Sequence, residues 1–231
     1  LALTLDNHRI GMNEVLILSK LGDKFLDTLG IKESFLLSRL SMIVLKMNCQ
    51  PRIQEGEFAA VFCEIPSNPL LRSVNLARVS EACRQGGVPL VVDDTVASCI
   101  NVDVLQFADI VTTSLTKWVS GKGDVMAGLV TVNERSAWVT EFRNFFNEAT
   151  TGGSLLYKGD CKALISNMKD FPARVARSNE NGELVADYLA EHPAVGRVWY
   201  PKYVTTHEYQ LVRRNSGGYG GLISFTLKQP R

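Results

Sequence analysis

"VPLVVDDTVASCINVDVLQFADIVTTSLTK", residues 88–117, decides the fold. Two β-branched runs lie within it. "VPLVVDD" (88–94) ends on the carboxylates Asp93 and Asp94, and the apolar run at 109–113 ends on a polar knot of Ser114, Thr116 and Lys117. Both are short and rich in Val and Ile, which reads as buried strand. Polar groups at the ends of such strands call for a reason.

Outward from this pair the order stays legible. Before it, "AAVFCEI" (59–65) is another short apolar run, and "PSNPLL" marks a loop. "SVNLARVSEACRQGG" (73–87) places Leu76, Val79, Ala82 and Cys83 at helical spacing, and Gly86 and Gly87 stop it. Strand, helix, strand at this spacing predicts βαβ, hence a parallel sheet with helices on its faces. "AGLVTVN" (127–133) is a fourth strand, and residues 134–149 and 159–169 read as helical. "RVARSNENGELVADYLAEH" (174–192) reads as a long amphipathic helix whose apolar face carries Val175, Leu184, Val185, Tyr188 and Leu189. "GRVWYP" (196–201) and "GGLISFTLK" (220–228) read as strands of a further layer. A boundary falls near Phe171 and Pro172, dividing residues 1–172 from 173–231. Residues 1–55 lack clear strand runs and are expected to be mostly helical. The chain begins at Leu1 rather than Met, as a fragment would.

Composition narrows the class. The 231 residues are 45% hydrophobic and 21% charged, as in a soluble globular protein, and long enough for a full core. A net charge of +1 supplies no electrostatic argument for nucleic acid or an anionic membrane. "SFLLSRLSMIVLKM" (34–47) is interrupted by Arg39 and Lys46 and is too short to span a bilayer. Cys49, Cys63, Cys83, Cys99 and Cys161 form no CxxC pattern, so packed thiols in a cytoplasmic protein are expected rather than disulfides. The three histidines do not cluster, and no metal site is expected.

In open α/β sheets, ligands sit at the carboxyl ends of the strands. Asp93 and the Ser114–Lys117 knot face one crevice if their strands share a sheet. A lysine in a partly apolar pocket becomes a nucleophile toward a carbonyl. Flanking hydroxyls can bind a phosphate, and a neighbouring carboxylate can pair with a protonated ring nitrogen. Aldehyde, phosphate and pyridine nitrogen together describe pyridoxal phosphate, for which a lysine and an acidic nitrogen partner are the recurring protein contribution. The plainer alternatives stay open on the residues alone: a lysine after a strand is most often solvated, and an aspartate there is most often a turn residue or helix cap. A nucleotide loop fits less well, because "SGKGD" lacks the GxxxxGK[ST] spacing.

The ordered set "EIPSNPLL … VVDDT … ADIVTTSLTKWVSGKGDVMAGLV" resembles the cystathionine γ-synthase/γ-lyase family of pyridoxal-phosphate enzymes, and "VWYPKYVTTHEYQLVRRNSGGYGGLISF" resembles its fungal γ-synthase branch. The likeness covers roughly residues 55–231. It implies an aspartate-aminotransferase-type α/β fold: a mostly parallel sheet with helices on both faces, and an incomplete smaller C-terminal α/β domain. It implies that Lys117 condenses with the cofactor aldehyde and then moves protons between substrate carbons. Asp93 would pair with the pyridine nitrogen, Ser114 and Thr116 would bind the phosphate, and Asn68 would lie near the ring hydroxyl and the substrate carboxylate. Asp94 stands where the family has Asn or Glu. The family's N-terminal glycine segment, ring-stacking aromatic and Tyr-x-Arg are not recognised in residues 1–55, and its C-terminal carboxylate-binding arginine is expected beyond residue 231. The implied activity is γ-replacement on an O-acylhomoserine with cysteine, in a homodimer or tetramer. The alternatives are a γ-lyase or sulfhydrylase of the same family, or a catalytically impaired homologue acting only as an assembly partner.

Overall fold

The computed structural model describes residues 2–3, 60–151 and 156–228. The expected helical character of residues 1–55 lies outside the described residues, save for Ala2–Leu3, which form strand β1. Strands β2 (Val61–Glu64), β3 (Leu90–Asp93), β4 (Ile110–Ser114) and β5 (Gly128–Val132) follow the apolar runs closely. They form one sheet in the order β1-β5-β4-β3-β2. The centre is parallel, β2 with β3 and β3 with β4. β5 runs antiparallel to β4, and β1 antiparallel to β5. Its direction follows from its connection: residues 115–127 hold no helix to carry the chain back across the sheet, so the chain returns beside the strand it has just left.

Alternation along the strands supplies two cores. Val61, Leu90, Val92 and Val111 face helix α1 (Leu76–Gly86) through Leu76, Ala82 and Cys83. Val91 and Ile110 face helix α2 (Val139–Thr150) through Phe142, Phe145 and Phe146. β3 and the first half of β4 are therefore buried on both faces, which is why their runs read as continuously apolar. The ends of α1 follow local chemistry. The Asn75 side chain accepts from the Arg78 N–H at 3.1 Å, and Gly87 closes the helix at φ 61°, a conformation that suits glycine.

Helix α3 (Lys158–Asn167) leads through a short 3-10 turn (Met168–Asp170) into α4 (Phe171–Glu191), with Pro172 in its first turn, where the missing N–H is not needed. The face that α4 buries holds Val175 as expected but departs from the expected one in its second half. Leu184, Val185 and Tyr188 are 70%, 48% and 64% exposed, whereas Phe171, Val175, Gly182 and Ala186 are buried. The cause is a close backbone approach. A Cβ on Gly182 would lie 2.4 Å from the Gly220 carbonyl oxygen, and Tyr200 Oη donates to that same oxygen at 2.8 Å. Small residues on α4 thus receive the 217–221 loop.

Strands β6 (Val195–Trp199) and β7 (Ser224–Leu227) pair antiparallel as a separate two-stranded sheet, with helix α5 (Thr206–Gln210) between them. This second layer is tied to the first by an asparagine clasp. Asn101 and Asn179 exchange amide hydrogen bonds of 3.0 and 2.8 Å. Their carbonyl oxygens also accept the Gly218 and Gly220 N–H groups, each at 2.9 Å. None of the described helices is long and apolar enough to cross a membrane.

Candidate functional site

The parallel centre sets the site. Glu64 stands opposite Asp93, and Asp93 opposite Thr112, so β2, β3 and β4 end side by side. The segments leaving that edge carry Asn68, then Asp94 and Thr95, then Ser114 to Lys117. The expected residues are thereby brought to one sheet edge, although they span 50 positions of sequence (68 to 117).

Asp93 is half-buried, and no ion pair reaches it among the described residues. Burial pushes its carboxyl above the ordinary range, while hydrogen bonds from Thr95 act in the opposite sense. Thr95 is the connector: its N–H donates to Asp93 Oδ1 at 2.8 Å, and its Oγ1 accepts from the Ser114 N–H at 2.7 Å. One side chain therefore ties the ends of β3 and β4. Asp94 is 3% exposed and accepts from the Thr113 hydroxyl at 2.5 Å. Burial, offset partly by that hydrogen bond, pushes its carboxyl up to about 6.

Beyond β4 the chain makes a turn, with the Lys117 N–H donating to the Ser114 carbonyl at 3.4 Å. The Ser114 hydroxyl has no protein hydrogen bond among the described residues. The Thr116 hydroxyl is already engaged, accepting from the Ala127 N–H at 3.2 Å and donating to the Ala127 carbonyl at 3.4 Å. Lys117 is exposed and has no ion pair among the described residues, at an open pocket of about 420 Å³ that it lines with Trp118, Gly121, Arg174, Arg177 and Ser178. The partly apolar surrounding expected for this lysine is thus not supplied by the described residues. Its neighbour Trp118 is half-buried, donating Nε1–H to the Val96 carbonyl at 3.0 Å, and Lys117 projects from the turn. Asp93 and Ser114 do not line that pocket. Asn68 is exposed, and its N–H donates to the Glu64 carboxylate at 3.2 Å.

The profile of the Cys/Met metabolism PLP-dependent enzymes matches residues 23–231. The chain belongs to that family. It is 39% identical over 181 residues to a cystathionine gamma-synthase of Neurospora crassa, covering 78% of this chain and 29% of that protein. It is 38% identical over 183 residues to the alanine racemase ungC of Aspergillus violaceofuscus, covering 71% and 31%. Among solved structures, cystathionine gamma synthase from Xanthomonas oryzae pv. oryzae in complex with aminoacrylate and cysteine superposes with a TM-score of 0.63 at 30% identity, covering 74% of this chain and 43% of that one. The chain thus spans about a third of the length of the curated relatives it matches.

The family's cofactor is pyridoxal 5'-phosphate, and the residues at this edge fit it. A half-buried carboxylate with no cationic partner among the described residues suits a protonated ring nitrogen. A hydroxyl without a protein partner suits a phosphate oxygen, and a free amine suits an aldehyde. Two groups here were not assigned from sequence. Thr95 was visible only as a hydroxyl in a turn, a common sight with no special signal. Arg174 lies 56 positions from the Trp118 carbonyl it binds, and nothing local marks it.

Proposed function

We propose that this chain carries the cofactor-holding part of a cystathionine γ-synthase-like enzyme, which exchanges the γ-substituent of an O-acylhomoserine for the thiol of cysteine. The observation that carries the reading is that Lys117 lies in the turn leaving β4, at the same sheet edge where the adjacent parallel strand β3 ends on Asp93. In this reading the Lys117 amine holds the cofactor at its aldehyde and afterwards carries a proton between neighbouring substrate carbons. The Asp93 carboxylate accepts a hydrogen bond from the ring nitrogen and keeps the proton there. The Ser114 hydroxyl donates to a phosphate oxygen, and Thr116 shares that task from its place against Ala127. Asn68 borders the ring hydroxyl and the substrate carboxylate. The cofactor, when bound, supplies the electron sink that makes substrate C–H bonds acidic.

The same reading places the partial cofactor-binding domain in residues 1–172, and a linking helix with part of a smaller domain in 173–231, in an enzyme that assembles as a dimer or tetramer. Relatives named for different reactions, a γ-synthase and a racemase, share this stretch. In this reading the reaction is chosen by residues that vary around a common anchor. Mixing the purified chain with pyridoxal phosphate should produce a visible absorption band that Lys117→Ala removes. A band that survives in Lys117→Ala would sink the assignment. Turnover of O-acylhomoserine and cysteine to cystathionine, against release of an α-keto acid alone, separates synthase from lyase, and turnover of neither marks an impaired homologue.

A further inference from the structure

The loop that carries Lys117 is held by a group from far along the chain. The Arg174 side chain enters from the second turn of α4 and spreads its guanidinium under residues 118–121. Nη1 donates to the Trp118 carbonyl at 2.7 Å, and Nη2 to the Val119 carbonyl at 2.8 Å and the Asn167 carbonyl at 3.0 Å. Nε donates to Asp170 Oδ1 at 2.9 Å. A planar guanidinium is suited to this: a fixed fork satisfies several acceptors at once, which an ammonium on a flexible stem cannot do. The two carbonyls on the loop belong to the residues immediately after Lys117, so the fork fixes the backbone from which the lysine projects.

The loop is shaped to admit the fork. Gly121 has φ +73°, and a Cβ built on it would lie 2.0 Å from Arg174 Nη1. Glycine is thus required twice, by the backbone angle and by the guanidinium pressed against it. A second bracket holds the far side of the loop. Asn167 Nδ2 donates to Ser120 Oγ at 3.0 Å and to Asp124 Oδ1 at 2.9 Å, and Ser120 Oγ donates to the same carboxylate at 3.2 Å.

We propose that Arg174 is a positioning residue for Lys117, acting through the backbone of residues 118–121, with Gly121 as the contact that lets it in. The inference rests on Lys117 being the cofactor lysine, and its test separates the two. The rate at which pyridoxal phosphate becomes attached to Lys117 is measured by timed borohydride quenching and peptide mass spectrometry. The amine condenses with the aldehyde and releases water, and borohydride supplies the hydride that makes the link permanent. Arg174→Ala is expected to slow attachment by about tenfold to a hundredfold, the upper end being the scale on which displacement of a reacting group by about an ångström acts. Rates are compared at a temperature where circular dichroism shows wild type and variant equally folded. Arg174→Lys, which keeps the charge and loses the fork, is expected to be slow as well. Gly121→Ala slows attachment too, and adds less in the Arg174→Ala background than alone, because both act on one contact. An Arg174→Ala rate equal to wild type, or full rescue by Arg174→Lys, overturns the proposal. If Arg174→Ala does not fold, Arg174→Lys and Gly121→Ala decide it by the same criterion. Wild type that never labels at Lys117 overturns the cofactor assignment instead.

Discussion

The sheet centre and the α4–β6–β7 layer are built on different principles. In the first, large side chains fill space: Phe142, Leu90 and Val92 are at most 1% exposed, and the strands between the helices are apolar on both faces. In the second, the buried rings of Tyr200 and Tyr209 are joined by contacts through backbone and polar groups: Gly182 against Gly220, the Tyr200 and Tyr209 hydroxyls donating to the Gly220 and Gly218 carbonyls, and the asparagine clasp. Large apolar groups there, such as Leu184 and Leu227, are 70% and 67% exposed. The first region tolerates rearrangement poorly because volume is lost, the second because a close approach is blocked.

Substitutions break this contrast in order of size. Phe142→Ala removes a ring from the α2 face and should cost about 3–5 kcal/mol in urea unfolding. A loss below that range would mean the α2 core collapses to fill the gap. Next comes Asp94→Asn, with the opposite sign. The folded-state pKa of Asp94 is raised to about 6 from 3.8, so its ionised form is penalised on folding. That penalty is absent below the unfolded value, builds between the two, and is complete above the folded one. Asp94→Asn keeps an acceptor for Thr113 and should therefore stabilise the protein by on the order of 2–3 kcal/mol at pH 8 and hardly at all at pH 4. A pH-independent difference in melting temperature would contradict it. In the second region, Gly182→Ala should cost about 1–3 kcal/mol by driving a methyl into a carbonyl. Leu184→Ala, two residues away, should change stability by no more than about 0.5 kcal/mol. Reversal of that last pair would return the buried face of α4 to the one its hydrophobic pattern suggests.

The same contrast explains what could be read in advance. β2 to β5 and α1 were legible because burial on a sheet writes itself as β-branched runs and helical spacing. α4 was legible as a helix but not in its orientation: Gly182 and Ala186 carry little hydrophobic weight, and their value lies in what they leave room for. The direction of β5 was not legible, since an apolar run has no polarity of its own. At the site, Asp93, Ser114 and Lys117 stood out as polar groups closing apolar strands. Thr116 was legible as a hydroxyl beside the lysine, but its bond to Ala127 depends on where β5 begins. Thr95 and Arg174 were invisible because their roles exist only across the fold, in a bond to the next strand end and in a reach over 56 positions.

The asparagine clasp also sets a schedule. Asn179 must wait for Gly220, 41 residues later, before its carbonyl oxygen gains that N–H. At a synthesis rate of about 5–20 residues per second, the interval is roughly 2–8 seconds. The Ser73 N–H waits longer still for its acceptor, the Thr205 hydroxyl 132 residues downstream. On the ribosome, then, the strands that end in Asp93 and Ser114 are made well before the clasp beside them can close, and a nascent chain passes through a period in which that flank of the fold has been synthesised but not yet fastened.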